Sequence, residues 1–418
     1  GMQLQTILNR VARHSSFVYG TPRFVDDPLR LTIEVPIEPR ANGRPVCSGC
    51  GKRRPGYDHL TERRFEFVPL WQIAVVFVYT MRRVSCPDCG IVVERVPWSS
   101  GKSQLTTDYQ WFLAGWARRL SWQEVATVFQ TTWEHVALSV RHAVRWGLVH
   151  RDLTGVTALG VDEIQWRRGH HYLTLVYQID EGGRRLLWIG RERTEASLRQ
   201  GLELLGESFC SGLRFVCSDL WQPYLKVLAE LAGGAIHVLD RFHIMKQLGE
   251  AIDDVRAAEV KRLKHDGYEP VLKRSRWCLL KRPENLTDSQ TVRLAELLRY
   301  NLHSVRAYLH REDFQRFWDY QSPVWAGKFL DEWCLRVMRS RLDPLKKVVR
   351  CLRKHRPLLL NWFRAKGTIS AGIVEGFNNK AKLTMRKSYG FREFETIELA
   401  LYHQLGNLPE PESTHRFC

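Results

Sequence analysis

The stretch 157–180, TALGVDEIQWRRGHHYLTLVYQID, constrains the fold of this chain more than any other. An apolar run rises to Asp162, a basic turn follows at Arg167, Arg168 and Gly169, and a second apolar run descends through Leu173, Leu175 and Tyr177. Gly182 and Gly183 then turn the chain into a third short run, 186–189. Three β-rich runs split by turn residues predict a meander of strands. An acid at the end of a buried strand costs several kcal/mol in desolvation unless a cation, a metal or a dense hydrogen-bond set holds its charge.

The theme repeats downstream. Residues 195–209 have helical spacing at Leu198, Leu202 and Leu205, and 213–219 is a buried strand ending in Asp219. Residues 221–231 are helical, and 235–240 is a fifth strand ending in Asp240. This order predicts an α/β chain with a mixed sheet and helices on its faces. Asp162 and Asp219 then meet where neighbouring strands end. Two such carboxylates suit a hard divalent ion, Mg²⁺ or Mn²⁺, whereas either one alone is as well explained as a helix cap.

The chain has 418 residues, with 63 Lys and Arg against 45 Asp and Glu, a net charge of +18. Several domains and a polyanionic partner, most simply nucleic acid such as double-stranded DNA, are therefore expected. No apolar run is long enough to span a bilayer. The N-terminus shows no signal peptide, and Gly1 before Met2 is set aside as a tag scar, so a cytoplasmic protein with no membrane partner is expected.

Four of the ten cysteines form two CxxC pairs, Cys47/Cys50 and Cys86/Cys89, each beside Gly or Pro. Two such knuckles complete a closed Cys₄ zinc site, predicting one structural Zn²⁺ in a zinc-ribbon-like β module over 1–100. Residues 97–103 are a linker. From Asp108 three helices follow, two of them opened by expected capping boxes at Ser121–Glu124 and Thr131–Glu134. A tight break before the last helix matches a helix-turn-helix over 104–150, with Val136, Val140 and Val144 inward and Arg141, His142 and Arg145 outward towards DNA.

From 243 to about 367 the chain is helical and rich in tryptophan. Trp277, Trp318, Trp325, Trp333 and Trp362 are taken as the core of a bundle rather than as base-stacking platforms, with outward Lys and Arg as phosphate contacts. In the last stretch, read as a helix, Glu375, Asn379, Lys382 and Arg386 share one face, with Phe377 and Ala381 elsewhere. An acid followed by an amide and two cations suits a metal ligand beside a strip for DNA phosphates. Gly372 and Gly376 each cost such a helix about 1 kcal/mol, which suggests close backbone approach there.

Together these residues resemble the DDE transposases of bacterial insertion sequences, in the ISL-three family. The marks are the paired CxxC motifs, GVDE at 160–163, SDLWQPY at 218–224, LDRFH at 239–243, RWCLLKRPENLT at 276–287, and VEGFNNKAK with RKSYGFREFE across 374–395. The resemblance covers nearly the whole chain and implies a bacterial transposase that binds the terminal inverted repeats of its own element. It also implies an RNase H-like catalytic core, 155–242 and 369–410, interrupted by an all-α insertion, 243–368. Position by position, the catalytic triad it implies is Asp162, Asp219 and Glu375, holding two Mg²⁺ or Mn²⁺ ions. Glu163, Asp240 and His243 stand behind them, and Arg167, Arg168, Asn379, Lys382 and Arg386 are expected on DNA. Concerted joining of two ends implies a homodimer or larger. A transposase-derived DNA-binding regulator and a structure-selective nuclease are the alternatives.

Overall fold

A long hairpin brings the two cysteine pairs together. The computed structural model describes residues 3–25, 30–268, 271–300, 302–365, 371–387 and 393–412. Among these, the N-terminal elements are α1 (Leu4–Val11), β1 (Phe17–Tyr19), β2 (Arg23–Val25), β3 (Thr32–Pro39), β4 (Gly56–Leu70), β5 (Ile73–Cys86) and β6 (Gly90–Val93). They form a mixed sheet in the order β1-β3-β5-β4, with β2 beside β3 and β6 beside β5. β4 and β5 are joined by Trp71 and Gln72, whose φ angles of 48° and 69° close a two-residue turn of the kind that usually carries Asn-Gly. Cys47–Cys50 precede β4 and Cys86 ends β5, so both pairs sit at the open end of this hairpin. Trp98, 1% exposed, fills the core beneath the sheet against Phe17, Phe65 and Tyr79.

Three helices follow: α2 (Thr107–Ala117), α3 (Trp122–Val128) and α4 (Trp133–His150). The capping box at Ser121 and Glu124 forms as its sequence predicts. The second box does not: Thr132 is the cap, accepting from the His135 backbone, while the Thr131 hydroxyl pairs with His135 Nδ1. Between α3 and α4, Gln130 adopts φ 50°. The N–H groups of Gln130 and Thr131 close onto the carbonyls of Thr127 and Ala126, the Schellman pattern that ordinarily places glycine there.

The second sheet is built as β7 (Ala158–Arg167), β8 (His171–Asp180) and β9 (Gly183–Arg191), then α5 (Glu195–Leu205), α6 (Glu207–Ser211), β10 (Phe215–Ser218), α7 (Gln222–Leu231) and β11 (Ile236–Leu239). Its order is β11-β10-β7-β8-β9. The first three strands form the antiparallel meander, and β10 and β11 add in parallel. Gly206, at φ 100°, breaks the single helix expected over 195–209 into two. Asp162 lies in mid-strand rather than at a strand end, because β7 continues to Arg167 and pairs with β8 over that length.

The helices after β11 are α8 (Arg241–His265), α9 (Arg276–Leu280), α10 (Asp288–Leu297), α11 (His303–Gln315), α12 (Pro323–Arg339), α13 (Asp343–Lys354), α14 (Arg356–Arg364) and α15 (Ala371–Lys387). Of these, α8–α14 share a hydrophobic core with Leu225 of α7 and Leu239 of β11. Trp318 and Trp333 lie in that core and Trp362 packs against it, but Trp277 and Trp325 are 54% and 60% exposed, contrary to the expectation of five core tryptophans. α14 runs beside the edge strand β11, where Asn361 donates to the His237 carbonyl and occupies an edge acceptor.

The chain forms two compact units, Gly1–Asp152 with Leu383–Cys418, and Leu153–Lys382. The stretch expected as the last part of the catalytic core, 369–410, is thus divided at Lys382. The last helix, α16 (Phe394–Leu405), packs on α4, and Gln404 donates to the carbonyls of Ala117 and Arg118. The YGFR part of the final motif, within 388–392, lies outside the described residues. No described helix is long and apolar enough to cross a membrane.

One capping contact ties the bundle together. Leu302 cannot cap α11, and the orphan N–H groups of His303 and Ser304 are met by Glu259 of α8, at 2.8 and 2.7 Å. Glu259→Ala strands those donors in a buried setting. Chemical denaturation of this variant should show a loss of about 2–4 kcal/mol, and Glu259→Gln a smaller one.

Candidate active site

Alternation along β7 sends Asp162 and Glu163 to opposite faces of the sheet. Leu159 and Val161 share the core with α5 and α7. On the other face, α15 lies directly on the strand. A Cβ at Gly160 would come within 2.6 Å of Val374, and the Tyr177 ring stacks on Phe377 at 4.6 Å. The close approach foreseen from glycines of the helix is therefore made by a glycine of the strand; a side chain at Gly376 would meet nothing within 4 Å, and the side chain position of residue 372 lies outside the described residues. Asn378 joins the two elements, donating to Asp162 Oδ2 at 2.5 Å and accepting from the Tyr177 hydroxyl at 3.1 Å.

Asp162, Asp219 and Asp240 are 6%, 8% and 4% exposed. Asp240 caps α8 through the Phe242 N–H at 2.8 Å, and Asp219 accepts from the Trp221 N–H at 3.0 Å. Capping and clustering coexist, because each acid uses one oxygen for its turn and keeps the other for the site. His243 Nε2 stands 3.7 Å from Asp162 and 3.8 Å from Asp240. Among the described residues, Asp162, Asp240 and His243 bring their ligand atoms within 4.8 Å of one another. Asp219 and Glu375 are not in this tightest group. Asp219 is held instead by Arg193, at 2.9 Å, and the same guanidinium meets Glu163 at 3.1 Å and lies over the Trp221 ring at 4.5 Å. Glu375 is exposed on α15, three residues before Asn378, and its charge acts on Asp240.

The electrostatics are those of crowded negative charge. Burial, with Asp162 and Glu375 nearby, pushes Asp240 up to about 6. Burial, Asp219 and Asp162 push Glu163 up to about 7, and burial also raises Asp219. Burial alone would lower His243, but Asp162, Asp240 and Asp219 carry it to about 9, so it is a cation at neutral pH. Glu163 Oε2 is buried without a partner. Hard carboxylate oxygens around uncompensated charge fit a divalent cation of the Mg²⁺ or Mn²⁺ type.

The four sulfurs of Cys47, Cys50, Cys86 and Cys89 also lie within 4.8 Å of one another, with Cys50 and Cys86 at 3.6 Å. A tetrahedron with metal–sulfur bonds of about 2.3 Å spaces its sulfurs by about 3.8 Å, so the group fits zinc. Gly49 leaves room for the bite, since a Cβ there would sit 2.8 Å from Cys89 Sγ. Burial raises Cys86, but the backbone N–H groups of Asp88 and Cys89 and the neighbouring thiols bring it down to about 6; burial and Cys47 push Cys89 up to about 12.

The other expected positions scatter over the surface. Arg167 and Arg168 are exposed at the β7–β8 turn, and Asn379, Lys382 and Arg386 are exposed along α15, with Phe377 and Ala381 buried. On α4, Val136, Val140 and Val144 are buried as expected. Arg145 is exposed and Arg141 half-buried, while His142 is half-buried edge-on to Trp111 at 5.5 Å. All three line a cleft of about 660 Å³ with Lys102 and Trp146. Arg193, Asn378 and Tyr177 were not anticipated. Asn378 sits beside the anticipated Asn379, where the helical repeat distinguishes the two faces, but Arg193 carries no periodic signal.

The ISL3 DDE transposase family matches residues 159–401, which contain every acid of this cluster. The chain belongs to that family. It is 30% identical over 388 residues to the transposase for insertion sequence element IS1001 of Bordetella parapertussis, covering 92% of this chain and 94% of that one. It is 26% identical over 406 residues to the transposase for insertion sequence element IS1557 of Mycobacterium tuberculosis, covering 91% and 90%. The Drosophila P element transposase strand transfer complex is similar over 74% of this chain and 92% of its own at 12% identity, with a TM-score of 0.34. This transposase is thus an insertion-sequence enzyme and a DDE-type polynucleotidyl transferase, a family whose chemistry uses divalent metal.

In the transposase, Asn378→Ala would free Asp162 Oδ2 and leave the buried Tyr177 hydroxyl unpaired. A loss of about 1–3 kcal/mol in urea unfolding is expected. Arg193→Met removes the cation between Glu163 and Asp219. It should destabilise the metal-free chain in thermal unfolding, and Mg²⁺ should recover part of the loss, because a bound cation stabilises the folded state.

Proposed function

We propose that the chain binds the terminal repeats of its own element through the zinc module and helix-turn-helix, then cuts and joins DNA strands at the cluster around Asp162. The observation that carries this reading is the convergence of Asp162, Asp219 and Asp240 from three adjacent strands or their ends, under a helix that brings Glu375 to the same side. A three-strand meander extended by two parallel strands suits an RNase H-like core, with α8–α14 as its helical insertion.

Asp162, Asp219 and Glu375 are the proposed triad, and Asp240 adjoins them. When bound, two Mg²⁺ or Mn²⁺ ions supply Lewis-acid activation of a water or 3′-hydroxyl and stabilise the leaving oxygen. The chain's own residues do the rest. His243 Nε2 stands between Asp162 and Asp240, within 3.7 and 3.8 Å, and offers its positive charge to both. Arg193 fixes one oxygen of Asp219, and Asn378 fixes one of Asp162 while anchoring the helix of Glu375. Arg167 and Arg168, with Asn379, Lys382 and Arg386, contact phosphates, and Arg141, His142 and Arg145 face the end DNA. No covalent protein–DNA intermediate is required. Joining two ends calls for a dimer or larger.

The test is a strand-transfer assay with labelled end DNA of the source element. Wild type should give joined products with Mg²⁺ or Mn²⁺; Asp162→Asn, Asp219→Asn and Glu375→Gln should give none while still binding ends. Arg193→Met should lose about 10–100-fold, as expected for a residue that orients a ligand. Full activity in any of the three acid variants contradicts the assigned triad. Cut but unjoined DNA would indicate the nuclease, and binding without cutting the regulator. Metal analysis should find about one zinc per chain, and chelation should unfold the module of Cys47 and Cys86.

A further inference from the structure

The helical bundle carries a groove that the acidic cluster leaves unused. Its volume is about 660 Å³, and one wall is a single face of α8, with Phe242, Met245, Lys246 and Gly249 following the helical repeat. The opposite wall is α9, carrying Arg276 and Trp277. These last two open the motif at 276–287, to which catalysis assigns no task.

Trp277 is 54% exposed and Phe242 47%, so two aromatic faces meet solvent in one groove. The indole is rigidly mounted. Cys278 and Leu279, 2% and 0% exposed, plug α9 into the bundle core. The buried Arg311 guanidinium donates to the carbonyls of Leu279, Leu280 and Lys281 at 3.2, 2.8 and 3.1 Å. Gly249 stands in the middle of a 25-residue helix, where glycine costs about 1 kcal/mol relative to alanine. Packing does not require it, since a side chain there would meet nothing within 4 Å. What its absence of side chain does is keep the groove open. The groove begins beside the cluster, because Phe242 is the neighbour of His243 and donates its N–H to Asp240.

The charges select the occupant. Arg276 lies over the Trp277 ring at 5.2 Å, and Lys246 and Arg282 add further cations to the lining. Glu250, Asp253 and Asp254 also line the groove, and Asp253 pairs with Arg276 at 3.0 Å; carboxylates repel a phosphate but accept the N–H groups of a base edge. Aromatic faces, cations for a backbone and acceptors within suit a nucleobase, and stacking on an indole is sequence-tolerant.

We propose that this groove binds an unpaired nucleobase of the DNA strand whose phosphate lies at the acidic cluster, stacked on Trp277. The proposal rests on the reading of that cluster as a DNA-cleaving site.

The test uses the full chain, with Ca²⁺ in place of Mg²⁺ to keep DNA intact. Two probes are compared: a blunt duplex, and the same duplex with a short 3′ single-stranded tail containing 2-aminopurine. Wild type should bind the tailed duplex about 5- to 150-fold more tightly, equivalent to about 1–3 kcal/mol for one stacked base, with the 2-aminopurine quenched. Trp277→Ala should lose both the preference and the quenching but keep its affinity for blunt duplex. Trp277→Phe, which keeps an aromatic face, and Trp325→Ala, outside the groove, should behave as wild type. Equal tail preference and quenching in wild type and Trp277→Ala overturns the proposal. Wild type that binds blunt duplex with no tail preference overturns the groove alone, whereas wild type that binds neither probe overturns the reading of the cluster as well. If Trp277→Ala changes only the sedimentation of the chain, the groove belongs to a second copy and the nucleobase is excluded.

Discussion

Everything around the second sheet depends on keeping several carboxylates buried together. Asp162, Asp219 and Asp240 are each less than a tenth exposed, and charges so placed are tolerated only when something compensates them. The chain supplies three compensations: His243 between Asp162 and Asp240, Arg193 between Asp219 and Glu163, and the Asn378 amide on Asp162. They are incomplete, since burial and mutual repulsion still raise Asp219, Asp240 and Glu163. A site built from too few cations is one prepared to take another.

That requirement also explains the placement of α15 and α8. Asn378 and Phe377 fix α15 on β7 and β8, and Gly160 allows the contact. Asp240 caps α8 and so starts a 25-residue helix from within the cluster. One end of α8 holds the acids, its middle lines the groove of Trp277, and Glu259 near its other end caps α11. The site and the bundle are coupled through a single helix, consistent with their shared core.

Much of this was legible in the sequence, for identifiable reasons. Strand runs ending near acids, the CxxC spacing and the face of Glu375, Asn379, Lys382 and Arg386 are periodic or local signals, and the structure gives each a matching element. What escaped is non-periodic or non-local. Gln130, Trp71 and Gln72 take left-handed conformations without glycine or asparagine, so no turn residue announces them. Asp162 seemed to end its strand, but pairing with β8 carries β7 on to Arg167. Arg193 and Glu259 act across 26 and 44 residues, distances at which no local pattern exists. Trp277 and Trp325 were taken for core because composition cannot separate a buried indole from an exposed one.

DNA cleavage by this chain depends on the cluster around Asp162 taking a divalent ion. The most direct measurement is anomalous diffraction from crystals of the chain soaked in Mn²⁺. A peak is expected within about 2.3 Å of an Asp162 oxygen, with Asp219 or Glu375 completing the shell. A soaked crystal with no peak there, and with Asp162 still held by Asn378 and His243 as in the metal-free chain, would contradict it.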